Sequence, residues 1–242
     1  MLELKGLSSK LQNKSLEKVL VLCPLKLELN AVLNRLKEKT IVFNQAKVGK
    51  LSVYEIPELQ AIFSVGGQGK AQFAIQTQYL LNHIENIGSV ICAGSAGGLD
   101  EKLRLNDVVL GIKTIEHDFH LKFFSRPKPE FEGNKEQIEK ISRLNSPNFQ
   151  TFAGSILSGD EDIIDTTRAK ALRHETQALA VAWEGAGGAR ACLFNSVPFL
   201  EVRGITDMAC SDTPVDFKLN LVKSMSNVCD ALLFLIKTPG QR

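Results

Sequence analysis

The chain has 242 residues, 44% of them hydrophobic and 23% charged, a composition ordinary for a globular protein. At this size a chain removes roughly 70–75% of its unfolded surface from water, so it needs neither disulfides nor a structural metal to fold. Lys and Arg total 29 against 27 Asp and Glu, a net charge of +2, which excludes a strongly basic nucleic-acid binder and an acidic solvating tail.

Residues 1–17 read as a short polar extension without the charged-then-apolar order of a secretory signal. Residues 18–242 read as one domain. Val19–Cys23 (VLVLC) is expected as a buried strand, and Lys26–Leu36 as a helix with Leu27, Val32, Leu33 and Leu36 on its apolar side. Short strands are expected at Thr40–Phe43, Leu51–Ile56 and Gln60–Val65, then a helix over Ala71–Ile84. Ser89–Ala93 reads as a buried strand that ends in the glycine-rich turn GSAGG, and Asp107–Ile115 as another strand. Phe119–Gly133 carries Pro127 and Pro129 and reads as a loop. A polar helix over Glu136–Leu144 and a strand over Thr151–Leu157 follow. Beyond them are a helix over Thr166–His174, a strand over Ala178–Ala182, a small-residue helix over Glu184–Leu193 and a strand over Val197–Ile205. Val215–Ile236 is the closing helix. No apolar run approaches the roughly 18–20 residues of a membrane span, so no membrane partner is expected.

Buried strands separated by helices predict a single α/β domain with a mixed, mostly parallel central sheet flanked by helices. In such sheets ligands bind beyond the carboxyl ends of the strands. Those ends carry Pro24–Glu28, Gly66–Lys70, Gly94–Gly98, Ser158–Asp160, Trp183–Gly185 and Thr206–Asp207. Neither glycine segment fits a P-loop or a G-x-G-x-x-G fingerprint, which disfavours nucleoside triphosphates and dinucleotides. The five cysteines, Cys23, Cys92, Cys192, Cys210 and Cys229, form no CxxC and read as reduced thiols of a cytoplasmic protein. His117 and His120 fit no zinc pattern, and Asp160 reads as the acceptor of backbone donors in a turn.

The order of these segments is more specific than any one of them. SVICAGSAGGLDEKLRLNDVVL, ILSGDEDII, VAWEGAGGARACLFNSVPFLEVRGITDMA and GGQGKAQFAIQTQYLL resemble the purine nucleoside phosphorylase/nucleosidase superfamily. Within it the chain looks most like the 5'-methylthioadenosine/S-adenosylhomocysteine nucleosidases, from about Val19 to Ile236. The resemblance implies a partly barrel-like sheet, a homodimer, a small-molecule nucleoside as partner, and neither metal nor cofactor. Carried over position by position, it implies that Glu28 activates the attacking water and that Asp207 gives a proton to purine N7. It makes Glu184 the holder of the ribose hydroxyls. Ser95 and Gly97 shape the site near the ribose and the water, the backbone of Ile163 reads the base edge, and Arg203 supports the site from a buried position.

The chemistry asks for such residues. Breaking an N-glycosidic bond leaves a purine anion and an oxocarbenium-like sugar, so an acid at N7 and a carboxylate near the anomeric carbon each lower the barrier. Phosphorylases of the superfamily place a phosphate-holding Arg shortly before the Ser of the glycine segment. Val90–Ala93 offers no cation there, which favours hydrolysis over phosphorolysis. Two positions depart from the resemblance. Asp162 stands where the adenosine-specific enzymes place a stacking Phe, and Trp183 stands where they place Met. The base and the 5' substituent therefore stay open, futalosine-like nucleosides included, as does a nucleoside-binding protein without catalysis. Phe123, Phe124 and Pro127 suit either an apolar lid and dimer contact or a surface loop.

Overall fold

A computed structural model describes residues 17–237; most of the N-terminal extension therefore lies outside the described residues. Strand β1 (Lys18–Cys23) leads into helix α1 (Lys26–Glu38). The hairpin β2 (Asn44–Val48) and β3 (Leu51–Ile56) then feeds β4 (Ala61–Val65) and α2 (Lys70–His83). Strand β5 (Ile87–Gly98) precedes β6 (Val108–Glu116), the short β7 (Glu130–Glu132) and α3 (Lys135–Ile141). The order continues with β8 (Thr151–Ser158), α4 (Thr166–Thr176), β9 (Ala180–Ala182), α5 (Gly185–Phe194), β10 (Phe199–Asp207) and α6 (Thr213–Lys237).

The strands form one mixed sheet in the order β10-β6-β8-β9-β5-β1-β4-β3-β2, with β7 on β6. Strand β10 also pairs with β5, so β5, β10, β6, β8 and β9 close on themselves into a small barrel. Parallel ladders join β1 to β4 and β5, β5 to β10, and β8 to β6 and β9. The hairpin strands, β7, and the β10–β6 and β5–β9 contacts run antiparallel.

Alternation along the central strands sorts the core. Val21, Cys23, Ile91 and Ala93 join the cluster holding Leu29, Val32 and Leu36 of α1 and Met225, Val228 and Leu232 of α6. Leu20, Leu22, Val90 and Cys92 point the other way, into a cluster with Phe73 and Leu80 of α2 and Cys192 of α5. Each fully buried Leu contributes roughly 1.5–3 kcal/mol relative to an exposed one, which is why apolar β1 is covered on both faces.

Several features differ from the sequence reading. Thr40–Phe43 is not a strand. Thr40 turns into the left-handed region (φ 57°), its N–H and that of Ile41 donate to the carbonyls of Lys37 and Leu36, and Ile41 is buried. Those residues are spent closing α1, and pairing begins only at Asn44. The Phe119–Gly133 loop contains β7, and the polar helix ends at Ile141, started by the Asn134 side chain accepting from the Gln137 N–H. The Gly94–Gly98 segment is not a turn: β5 runs through it, paired to β10 on one side and, at its end, to β9 on the other. Finally, α6 is long and apolar enough by composition to cross a membrane, contrary to the expectation that no segment is. Its apolar face is spent on the core, with Leu221, Met225, Val228 and Leu232 buried.

Candidate active site

The barrel end of the sheet opens into a cavity of about 480 Å³, within the usual range for a small-molecule site. All nine residues singled out in the sequence line it: Glu28, Ser95, Gly97, Asp162, Ile163, Trp183, Glu184, Arg203 and Asp207. They come from α1, β5, the β8–α4 loop, the end of β9 and β10, so the topology gathers positions nearly 180 residues apart.

Glu28 is the third residue of α1 and is buried. One carboxylate oxygen accepts from the Leu25 N–H at 2.8 Å, which caps the helix N-terminus. The other accepts from the Ser95 N–H at 2.7 Å and the Ser95 hydroxyl at 2.6 Å. Burial pushes its carboxyl above the usual range; the Ser95 donors oppose the shift, and the nearby Glu184 adds to it.

Two glycines let this packing happen. A Cβ on Gly94 would stand 2.7 Å from Arg203 Nη1 and 3.1 Å from Glu28 Oε1, and one on Gly97 would stand 2.9 Å from Asp207 Oδ1. The glycine-rich stretch is therefore a strand stripped of side chains so that charged groups can cross its face.

Asp207 ends β10 and is nearly enclosed. Thr206 Oγ1 donates to one oxygen at 2.9 Å; the Ala209 N–H and Thr213 Oγ1 donate to the other at 3.0 Å. Glu184 precedes α5 and is buried; Oε1 accepts from the Gly69 N–H at 3.1 Å, and Oε2 faces both Arg203 Nη atoms at 3.3 Å. Burial raises its carboxyl above the usual range, against the lowering effect of Arg203. Ile163 is buried, Trp183 is half-buried and Asp162 is exposed at the mouth.

Other placements follow. Asp160 accepts a backbone donor, as read, but a distant one: the Lys70 N–H that opens α2, at 2.9 Å. His117 is fully buried, 3.7 Å from Glu161, while His120 is exposed. No group of three metal-ligating side chains gathers among the described residues. The five cysteines are free.

Sequence reasoning missed several wall residues. Thr213, Pro214, Phe217 and Lys218 also line the cavity, and Thr213 bonds Asp207 directly. It missed Glu201 as well, a carboxylate enclosed beside Arg203 at 3.0 Å. The signal was present in FLEVRGITD, where Glu201 and Arg203 sit two apart and so share one face of the strand.

A family model described as the phosphorylase superfamily matches residues 18–237. The chain belongs to the phosphorylase superfamily. Among its relatives in that superfamily is a 5'-methylthioadenosine/S-adenosylhomocysteine nucleosidase of Staphylococcus haemolyticus, 27% identical over 212 residues, which are 82% of this chain and 92% of the relative. The enzyme of the same name from Staphylococcus aureus strain JH9 is 29% identical over the same shares. A solved structure of the Neisseria meningitidis nucleosidase in complex with methylthio-immucillin-A aligns with a TM-score of 0.79 at 24% identity, covering 92% of this chain and 99% of that one. The futalosine hydrolase of Helicobacter pylori aligns with a TM-score of 0.79 at 23% identity, over 91% and 97%. The mixed sheet and partial barrel are thus those of the superfamily.

Proposed function

We propose that this superfamily member hydrolyses the N-glycosidic bond of a purine nucleoside of the methylthioadenosine/adenosylhomocysteine type, giving free base and a ribose derivative. The observation that carries the reading is the arrangement of Glu28, Glu184 and Asp207 around one cavity, each held by donors from a different element. The names of the relatives point the same way.

In this reading the base lies between Asp207 and the Ile163 backbone. Asp207 gives its proton to N7, so the base leaves neutral as the carbon–nitrogen bond breaks. Water held by Glu28 attacks the anomeric carbon, and its proton passes to Glu28. The two carboxylates together favour the positive charge that develops on the sugar. Glu184 accepts the ribose hydroxyls, Ser95 keeps Glu28 turned inward, Gly97 leaves room for Asp207, and Trp183 covers the sugar or base.

Water rather than phosphate is the favoured nucleophile. Among the cavity-lining residues the cations are Arg203 and Lys218. Arg203 is engaged by two carboxylates, and Lys218 is an exposed residue. The positions where a phosphate-holding Arg would stand, Val90–Ala93, are sealed in β5. Phosphate beside Glu28 would meet like charge, a cost of about 4 kcal/mol per pair of charges at 4 Å with an effective dielectric of ~20.

The deciding experiment is a panel of nucleosides, futalosine-like ones included, assayed for free base with and without phosphate. Base release without phosphate is the expected result. Release only with phosphate would make the protein a phosphorylase, and a ligand bound but left intact would make it a nucleoside-binding protein. Asp162 at the mouth, where a stacking Phe would otherwise stand, is the reason the panel varies base and 5' group.

Glu184→Gln tests the sugar contact. It should raise KM about tenfold or more for a ribonucleoside and less for its 2'-deoxy analogue, because a charged acceptor loses most where it meets two donors. Equal losses on both substrates would remove Glu184 from the hydroxyls.

The reading also makes the protein a homodimer of the cytoplasm. Free thiols suit a reducing compartment. The exposed apolar side chains of Phe123 and Phe124 in the β6–β7 loop, and of Ile75, Leu193 and Phe194 on α2 and α5, suit burial against a second copy. Sedimentation of the purified chain gives its mass directly.

A further inference from the structure

Arg203 is fully enclosed and faces two carboxylates unequally. With Glu201 it makes the tight pair: Nε lies at 3.0 Å and Nη2 at 2.9 Å from Glu201 Oε1. The second Glu201 oxygen accepts from the Thr114 hydroxyl of β6. With Glu184 the contact is looser, both Nη atoms at 3.3 Å from the single oxygen Oε2. Nη1 also donates to the Ser95 carbonyl at 3.2 Å. Ser95 in turn holds Glu28.

A guanidinium left to itself closes on a carboxylate with two parallel hydrogen bonds, one to each oxygen. Such a pair would tie up both oxygens of Glu184. Here Glu201 holds the Nε–Nη2 edge and keeps the guanidinium drawn toward itself, so that the remaining Nη1–Nη2 edge meets a single Glu184 oxygen, at 3.3 Å. Gly185 leaves the space that this requires: a Cβ there would stand 2.1 Å from a Glu201 oxygen. Glu201 itself lies outside the cavity wall, with its side chain wholly enclosed.

We propose that Glu201 is a positioning residue of the ribose site: by holding one edge of Arg203 it stops that cation from closing a two-oxygen ion pair over Glu184 and so keeps Glu184 available to the sugar hydroxyls. The inference rests on the nucleosidase reading above. It also explains why the cluster spends three buried carboxylates, Glu28, Glu184 and Glu201, on one buried Arg. A site that leaves an excess of negative charge near the sugar suits a reaction whose sugar becomes positive. The charged and titratable groups facing the cluster are Arg203 and Glu201 on β10, Glu184 before α5, Glu28 on α1, Cys23 on β1 and Cys92 on β5.

The test compares the full chain with Glu201→Gln. The variant should raise KM for a ribonucleoside about 5- to 10-fold, as Arg203 moves onto both Glu184 oxygens, with a much smaller change in kcat and in KM for the 2'-deoxy analogue. The acid limb of kcat/KM should move to lower pH, because a fully paired Glu184 ionises more readily. Glu201→Asp should restore part of both. Equal losses on the two substrates with the limb unmoved would show a merely structural role and overturn the proposal, as would no change at all. If Glu201→Gln does not fold, Glu201→Asp, which keeps the charge but draws it back from Arg203, should shift the ribo/deoxyribo ratio in the same direction by less; an unchanged ratio there overturns the proposal. If the unmodified protein releases no base from any nucleoside, the hydrolase reading fails on its own. Calorimetric affinities for the ribo/deoxyribo pair then make the same comparison, and no binding of either would overturn both.

Discussion

Asp207→Asn is expected to lower kcat by at least ~10²-fold while leaving the protein folded and substrate affinity near that of the unmodified chain, general acid catalysis being worth roughly 10²–10⁴. The geometry explains why the fold should survive. The amide oxygen of Asn can take over the bonds from the Ala209 N–H and Thr213 Oγ1. The amide NH2 then faces Thr206, whose hydroxyl can accept from it and turn its own proton toward the Ala96 carbonyl, 3.4 Å away. What the variant lacks is a proton to transfer. It can still donate a hydrogen bond to N7, so the ground-state complex forms while the leaving base must depart as an anion. Single-turnover base release on a purine nucleoside, with thermal melting as the control for folding, checks this. A rate within a few-fold of the unmodified enzyme would remove Asp207 from the mechanism. A purine already activated as a leaving group should show a smaller loss, since it needs the acid less.

The parts of the fold written in local pattern were legible in the sequence. VLVLC and SVIC alternate between two cores, and the helices carry their apolar sides at the expected spacing. The parts set by long-range pairing were not. GSAGG has the composition of a turn, and only its neighbours make it a strand: β10 along one side, Arg203 and Asp207 across its face. Thr40–Phe43 has strand propensity, yet the closing hydrogen bonds of α1 claim Thr40 and Ile41 first. The extent of α6 is legible as a helix, but scattered polar residues break its apolar run, although its buried positions recur along one face. At the site, the carboxylates were legible because their spacing along the whole chain resembles a family pattern. Thr213 and Glu201 were not, because each acts on a residue already named and contributes no motif of its own.

Glu28→Gln should separate hydrolysis from binding. Gln keeps the length of Glu28 and an oxygen for the two Ser95 donors, so Ser95 stays in place. The Leu25 N–H loses its acceptor and meets the Gln amide NH2 instead, a cost of about 1–3 kcal/mol to stability. The charge and the basicity are gone. Affinity for nucleoside should stay within a few-fold and kcat should fall roughly 10²–10⁴-fold, the pattern of a group needed mainly in the transition state. The pH profile adds an independent sign. Glu28 must be ionised to take the proton of water, and burial holds its carboxyl above the ordinary range. In the unmodified enzyme the rate should therefore rise with pH through a limb displaced upward from that of an exposed Glu. Glu184 is displaced in the same direction and lies close enough to interact, so the limb belongs to the pair rather than to either residue. Removing Glu28 should leave a residual rate with a shallower limb that reports Glu184 alone. Added phosphate should not restore the lost rate, since Val90–Ala93 offers it no cation and the charge of Glu184 remains. A variant that regains turnover with phosphate and yields a sugar 1-phosphate would show that Glu28 was excluding phosphate rather than activating water, and the phosphorylase reading would replace the hydrolase.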